Sequence, residues 1–244
     1  TVMTIDATNE GEELHVLKPA KDSVHRRIVC DLKCNDEGVK EIKFRSTLVI
    51  ENITCSRLAV KVESNSIQSP ILFSIEEGES SSVPLEYVYD CKLFIRPEQN
   101  TEYGWSSEPI LWEELLQTPR SIECDQVGNA DSKFYFELKA QYDKKEPLAK
   151  IFPHMKIVVS PSLVIENLLP YDMNYCIFSK REDMRRESFL KKGESVSIHS
   201  VSLDEFLLLS VQPCVEGNPK SKPSIVNTPS RTSLQPEEIL PISF

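Results

Sequence analysis

The sequence contains little glycine, little histidine and too few basic residues to balance its acidic ones. It has 7 glycines and 4 histidines in 244 residues, and its net charge is −10. A glycine-rich phosphate loop is absent, as are the GxSxG and HExxH motifs of hydrolases and metalloproteases. An acidic chain also lacks the basic surface that neutralises nucleic-acid phosphates. We therefore predict a protein that is not an enzyme and does not bind nucleic acid.

Long apolar runs are missing too. No segment approaches the roughly 18 consecutive apolar residues needed to span a bilayer, and the N-terminus lacks the basic and apolar regions of a signal peptide. The chain does not begin with Met. We therefore predict a monomeric fragment of a longer chain, without a membrane-spanning segment.

Paired CxxC motifs are absent among the seven cysteines, at positions 30, 34, 55, 91, 124, 176 and 214. Cys30 and Cys34 are four residues apart and would face the same side of a strand. One hypothesis is that they form half of a Cys₂His₂ zinc site. The preferred interpretation is a set of reduced, mostly buried thiols in a cytosolic protein, with no metal and no cofactor.

One pentapeptide occurs twice in the sequence. Leu-Val-Ile-Glu-Asn spans residues 48–52 and again residues 163–167. Gly-Glu-Ser recurs at the same spacing of 115 residues, at 78–80 and 193–195. Chance rarely gives two motifs one common spacing at average residue usage. We therefore predict an internal repeat of about 115 residues, which is typical of a modular array.

Each pentapeptide ends in an asparagine, Asn52 or Asn167. In a strand, Leu48, Ile50 and Asn52 share one face, which places the amide at the end of the apolar face. A buried amide needs partners, and asparagine offers two donors and an acceptor. We predict that both asparagines are structural and bind backbone groups of the following loop. Residues 52–54 also form a glycosylation sequon, but the second copy does not, so the shared structural role is preferred.

Short alternating segments bounded by turn residues run through most of the chain. Strands are predicted at residues 25–34, 42–45, 48–52, 58–62, 71–75, 91–97, 133–140, 154–159, 163–167, 173–177 and 206–211. One short helix is predicted at residues 110–116, and residues 1–22 are expected to meander along the surface. The fold class that follows is all-β.

These elements predict tandem β-sandwich-like repeats, with strands shared across the repeat boundaries. Residues 1–40 would be the tail of a preceding repeat, 41–155 the first complete repeat and 156–244 the second. Within the second, residues 215–236 are rich in proline and serine and are predicted to form a surface loop. A peptide ligand or a phosphorylation segment is the alternative for this loop.

A basic cluster interrupts the acidic background between residues 180 and 192. It consists of Lys180, Arg181, Arg185, Arg186, Lys191 and Lys192. One hypothesis is a patch for anionic lipid headgroups or for an acidic partner. The preferred interpretation is a solvated hairpin tip, because Glu182, Asp183 and Glu187 are interleaved with the basic residues.

The repeated motif consists of a strand ending in Leu-x-Ile-x-Asn, followed by Leu-x-Pro. Residues 162–171 follow this pattern, whereas the first copy has Thr54-Cys55 in place of Leu-Pro. Together with Arg45-Ser46 and residues 103–106, the motif resembles the adaptor-binding (VAB) repeats of the vacuolar-protein-sorting-thirteen family of bridge-like lipid-transfer proteins. The resemblance covers residues from about 25 to 213.

This resemblance implies an array of six β-sandwich repeats, of which the chain would hold about two. It also implies a module that binds short Pro-x-Pro peptides of organelle adaptor proteins, and so targets a lipid-transfer protein to membrane contact sites. Such a module would be cytoplasmic and would associate with membranes only indirectly. Asn52 and Asn167 match the asparagine that each family repeat carries, and we place the peptide site near their loops. Headgroup binding through residues 180–192 and a purely architectural spacer stay open as alternatives.

Overall fold

The computed structural model describes residues 8–17, 26–98, 103–145, 151–179, 184–215, 217 and 219–227. In these ranges the fold is all-β, as predicted, with one helix of four residues, α1 (Trp112–Leu115). The strands are β1 (Gly11–Val16), β2 (Arg27–Cys34), β3 (Lys40–Ser46), β4 (Leu48–Asn52), β5 (Leu58–Ser64), β6 (Ile71–Ile75), β7 (Ser80–Ser82), β8 (Cys91–Pro97), β9 (Arg120–Gln126), β10 (Asn129–Gln141), β11 (Met155–Pro161), β12 (Leu163–Glu166), β13 (Met173–Ser179), β14 (Met184–Leu190), β15 (Ser195–Ile198), β16 (Leu207–Pro213) and β17 (Ser224–Asn227).

The described residues fall into two compact units. Unit 1 lies within Thr1–Thr101, Trp105–Arg120 and Leu138–Val159, and unit 2 lies within Glu102–Gly104, Ser121–Glu137 and Ser160–Phe244. The chain thus leaves each unit and returns to it. The predicted repeat length of about 115 residues and the predicted repeat boundaries stay predictions.

Unit 1 begins with a three-stranded antiparallel sheet in the order β1-β2-β3. The central strand β2 is buried on both faces, with Val29 and Cys30 both inaccessible to solvent. At the edge, β3 exposes Ile42 and Phe44. A strand with two buried faces carries a near-continuous apolar run, and Ile28-Val29-Cys30 fits that expectation.

Two further strand groups lie in unit 1. Strand β4 pairs with β7 in antiparallel fashion and with β11 in parallel fashion, with Leu48 opposite Met155. Strand β5 lies between β6 and β8. Leu58, Val60 and Val62 alternate inward along β5 and are completely buried, as a period of two requires.

Unit 2 contains a two-stranded sheet, β12 with β15, and a four-stranded sheet in the order β14-β13-β16-β17. Their apolar faces form one core cluster, in which Leu207 is completely buried and Ile177 nearly so. The pairings of unit 2 repeat those of unit 1: β12 and β15 correspond to β4 and β7, and β13, β14 and β16 correspond to β5, β6 and β8.

The structure corrects three local predictions. Residues Gly11–Val16, expected to meander, form β1 because they pair with β2. Most of the predicted hairpin tip, Met184–Leu190, is the strand β14, which pairs with β13. The segment 215–236 contains the strand β17 (Ser224–Asn227), which pairs with β16, and residues 228–236 lie outside the described part. In each case pairing with a neighbour decides the conformation, and local composition does not show it.

Candidate functional site

Asn52 lies at the end of β4 and is inaccessible to solvent. Its Nδ2 donates to the carbonyl of Ser56 at 2.8 Å and to that of Ile75 at 3.0 Å. Its Oδ1 accepts the backbone N–H of Thr54 at 3.0 Å. The side chain therefore connects the loop after β4 to the end of β6, and its polar atoms are satisfied inside the protein.

Asn167 makes the corresponding bonds in unit 2, where it is also buried. Its Nδ2 donates to the carbonyl of Tyr171 at 2.9 Å and to that of Leu190 at 3.1 Å. Its Oδ1 accepts the N–H of Leu169 at 3.1 Å. Each partner lies 115 residues after its counterpart in unit 1. The same side-chain geometry is therefore built twice.

The repeated Gly-Glu-Ser turns form backbone hydrogen bonds with the same asparagines. The N–H of Gly78 donates to the carbonyl of Asn52, and that of Gly193 donates to the carbonyl of Asn167, both at 2.8 Å. The two glycines have φ angles of 75° and 73°. Residues with a side chain rarely adopt such angles, which explains glycine at both positions.

The geometry argues against glycosylation of Asn52. A glycan would have to be attached to Nδ2, which is buried and donates to three backbone carbonyls, the third being that of Glu76 at 3.2 Å. The Thr54 hydroxyl of the sequon donates back to Asn52 Oδ1 at 2.6 Å. The sequon therefore forms part of the loop's internal hydrogen bonding.

The loop that follows Asn167 presents large apolar side chains to solvent. Leu168 is 80% exposed and Tyr171 is 50% exposed, and Leu169 between them is partly exposed. The corresponding loop of unit 1 offers one such side chain, Ile53, followed by Thr54 and Cys55. Contiguous exposed apolar side chains mark interaction surfaces more often than isolated ones do.

The basic cluster is only partly described, because Lys180 and Arg181 lie outside the described residues. Its other four members are exposed on β14 and on the turn after it: Arg185, Arg186, Lys191 and Lys192. Glu187 accepts hydrogen bonds from Arg185 and from Lys220, and these two cations lower its pKa to about 2. Glu194 pairs with Lys191 at 3.8 Å. Acidic neighbours thus offset part of the positive charge.

In each unit one serine forms hydrogen bonds to the edge of a strand, and the sequence pattern does not indicate this role. In unit 1 the N–H of Ser106 donates to the carbonyl of Ile95 on β8 at 2.9 Å. In unit 2 the N–H of Ser221 donates to the carbonyl of Val211 on β16 at 2.8 Å. Both hydroxyls accept the N–H of the same partner residue, at 3.4 and 2.9 Å. The segment around Ser221 thus corresponds to the segment around Ser106. Only the Trp-Ser and Lys-Ser steps are visible in the sequence, and they look unrelated.

One histidine is buried in an aromatic cluster of unit 2. His199 stacks on Phe134 with a ring-centroid distance of 4.2 Å, and its Nδ1 lies 2.9 Å from the carbonyl oxygen of Tyr135. Burial lowers the pKa of His199 below its ordinary value of 6.5, and the bond to Tyr135 opposes this shift. The neutral ring with its proton on Nδ1 fits this environment.

The cysteines are all free thiols. Cys30, Cys91, Cys124 and Cys176 are buried, and Cys34, Cys55 and Cys214 are exposed. Across the described ranges, no group of three or more His, Cys, Asp or Glu side chains is arranged to hold a metal ion. No helix in those ranges is both long and apolar enough to cross a membrane.

The whole sequence, residues 1–244, matches the family model of the Vacuolar-sorting associated protein 13, adaptor binding domain. The chain belongs to this family. The resemblance to this family is thereby confirmed, and the family is described as an adaptor binding domain.

Three relatives are much longer than this chain. The chain is 34% identical over 215 residues, 86% of its length, to the intermembrane lipid transfer protein VPS13 of Chaetomium thermophilum. It is 26% identical over 72% of its length to human VPS13C, and 24% identical over 82% of its length to mouse VPS13A. It spans only 7%, 5% and 6% of these relatives.

Proposed function

We propose that this chain is a non-enzymatic module that binds short Pro-x-Pro peptides of organelle adaptor proteins. By this binding it would direct a lipid-transfer protein to membrane contact sites, where it acts as a peripheral, cytoplasmic domain. The match to an adaptor-binding family over residues 1–244 is the observation that carries the proposal. The names of the relatives supply the link to lipid transfer.

The loop after Asn167 has the surface that such a peptide needs. Proline lacks an N–H, so a Pro-x-Pro segment can form only part of a backbone ladder, and side-chain contacts must supply the rest. Leu168 and Tyr171 offer exposed apolar and aromatic area. Asn167 fixes this loop through Tyr171 and Leu169, so the surface is held in place before binding.

Fluorescence-polarisation titration of labelled Pro-x-Pro peptides tests this function. We expect micromolar, sequence-dependent binding that changes little between low and moderate salt, because apolar contacts are weakly screened. Replacing Leu168→Ser together with Tyr171→Ser should weaken binding at least tenfold. Leu72→Ser is the matched control, since Leu72 is 64% exposed on β6 of unit 1. No binding by any peptide to a folded sample would overturn the proposal.

Measuring binding at low and moderate salt also distinguishes the headgroup hypothesis from the peptide-binding function. Binding of vesicles that contain phosphatidylserine through Arg185, Arg186, Lys191 and Lys192 should fall steeply with ionic strength. Glu187 offsets one of the two positive charges of Arg185 and Lys220, and this reduction of the charge available to headgroups favours the peptide function. A chain that binds neither peptides nor vesicles would be an architectural spacer.

A further inference from the structure

The outer face of the β6-β5-β8 sheet in unit 1 carries a ladder of aromatic rings and cations. The guanidinium carbon of Arg96 lies 4.8 Å from the ring centroid of Trp105. The Nζ of Lys61 lies 4.2 Å from the centroid of Phe94 and 5.5 Å from that of Trp105. The indole therefore covers this face, and cation–π contacts with Lys61 and Arg96 stabilise its position.

Unit 2 has the same sheet without this ladder. Because Ser221 corresponds to Ser106, Lys220 stands where unit 1 has Trp105. By strand register, Gln212 stands in place of Arg96 and Cys176 in place of Lys61. At the corresponding positions 176, 212 and 220, which the structure describes, unit 2 thus has no indole or guanidinium group.

A cavity of about 430 Å³ lies on this face of unit 2. Its walls combine side-chain amides, an aromatic ring and an ion pair: Asn174, Tyr175, Glu187, Ser188, Phe189, Gln212 and Lys220. The volume lies within the range of about 300–1,000 Å³ that is typical of ligand sites. All of these residues belong to unit 2.

The groups around the cavity define the chemistry of an occupant. Phe189 is 49% exposed, so its ring is available for stacking. The Nζ of Lys220 lies 2.8 Å from Glu187, and the Nε of Arg185 lies 3.1 Å from the same carboxylate. Two cations share one carboxylate, which leaves one positive charge in excess. An aromatic ring flanked by acidic groups complements this arrangement.

We propose that this cavity receives an aromatic side chain of the bound adaptor peptide, and that the excess positive charge of Arg185 and Lys220 selects an acidic residue beside that side chain. The ring takes the place that Trp105 occupies in unit 1. The amides of Asn174 and Gln212 line the cavity, so a bound peptide would lie beside them. This inference deepens the proposed peptide-binding function and rests on it, but it concerns a surface that the Pro-x-Pro motif does not require.

NMR titration of the ¹⁵N-labelled chain with the blocked tripeptide Glu-Trp-Glu tests the proposal. We expect shifts of the side-chain amide resonances of Asn174 and Gln212 and of the backbone resonance of Phe189. Glu-Ala-Glu, which keeps the charge and lacks the ring, should bind at least tenfold more weakly. Lys-Trp-Lys, which keeps the ring and reverses the charge, should do so as well.

A variant whose larger side chains fill the cavity tests the proposal most directly. Gln212→Arg with Lys220→Trp copies the pair that unit 1 holds at Arg96 and Trp105, and it should raise the Kd for Glu-Trp-Glu at least tenfold. Lys222→Trp adds an indole at an exposed neighbouring position and should leave the Kd unchanged. Phe189→Ser, at an exposed position that is serine in unit 1, provides a second test that does not depend on repacking.

Two results would overturn this inference alone. One is the absence of Glu-Trp-Glu shifts at Asn174 and Gln212 in a sample that still binds a Pro-x-Pro peptide, which would leave the proposed function intact. The other is undiminished binding of Glu-Trp-Glu by the filled variant. Loss of both peptides in the folded parent chain would remove the proposed function together with this inference.

Discussion

Asn52 and Asn167 each bind carbonyl groups that lie 4 and 23 residues further along the chain. Asparagine suits this position because its amide carries two donor hydrogens and an acceptor in one plane. Aspartate would lack the donors, and glutamine would displace them by one methylene. The number and placement of hydrogen-bond donors and acceptors in the side chain thus explain why asparagine recurs at this position.

Replacing Asn167→Ala should lower the free energy of unfolding by about 1–3 kcal/mol, because buried backbone groups lose their partners. Urea denaturation followed by circular dichroism measures this change. Gln68→Ala, in an exposed loop, is the control for loss of an amide without burial. Equal denaturation midpoints for Asn167→Ala and the parent would contradict the structural role of the amide.

Asn52→Ala should have a similar effect on unit 1. Its Nδ2 donates to three carbonyls, one more than that of Asn167. Hydrogen exchange should show faster amide exchange around Ser56 and Ile75 in this variant. Exchange that accelerates only in unit 2 would be inconsistent with the hydrogen bonds described.

At the scale of elements, alternation was enough to predict most strands. Residues 48–52, 71–75 and 91–97 form strands at the predicted positions. In residues 91–97 buried and less buried side chains alternate along the whole strand, as the sequence pattern predicts. Strand β17 could not be predicted in this way, since its four residues lie in a segment rich in proline and serine. It forms because β16 offers an unpaired edge, and Ser221 begins the pairing.

The candidate site likewise has one part that could be predicted from the sequence and one part that could not. The hydrogen bonds of the asparagines follow from the chemistry of a single side chain at the end of an apolar strand. The cavity lined by Lys220 and Gln212 is recognised instead by comparison with unit 1, which has Trp105 and Arg96 at the corresponding positions. This comparison needs the strand register, which the printed sequence does not contain.

The contact between His199, after β15, and β10 predicts a dependence of stability on pH. Burial lowers the pKa of His199 in the folded state, whereas the unfolded chain titrates near 6.5. As the pH falls through 6.5, the unfolded state binds the proton first, and stability decreases. Above that pH this contribution is constant.

Thermal unfolding of the parent and of His199→Gln between pH 5.5 and pH 7.5 checks this dependence. Glutamine can still donate toward the carbonyl of Tyr135, but it does not titrate. The parent should lose more stability on acidification than the variant, and the other three histidines contribute equally to both. Parallel curves for the two proteins would argue against a depressed pKa of His199.

For the whole molecule, the distribution of thiols predicts two classes of reactivity. The three exposed cysteines should react quickly with Ellman's reagent in the native protein, and the four buried ones slowly. Burial raises the pKa of Cys91 to about 12, with a smaller contribution from the charge of Glu113, so this thiol should be among the slowest.

The number of thiols that react with Ellman's reagent in the rapid phase measures this difference in reactivity. Three equivalents should appear in the rapid phase, and all 7 thiols should react in concentrated guanidinium. A rapid phase of four or more equivalents would show that one of the buried strands opens readily. Unfolded protein serves as the internal control for complete modification.

The parallel pairing of β4 with β11 sets the order in which the chain can fold during synthesis. Glu51 and Lys156, which form an ion pair across this ladder, are separated by 105 residues. Ribosomes add about 5–20 residues per second, so β4 leaves the exit tunnel many seconds before its parallel partner. In that interval one edge of β4 lacks its partner, and we expect a chaperone to bind the nascent chain there.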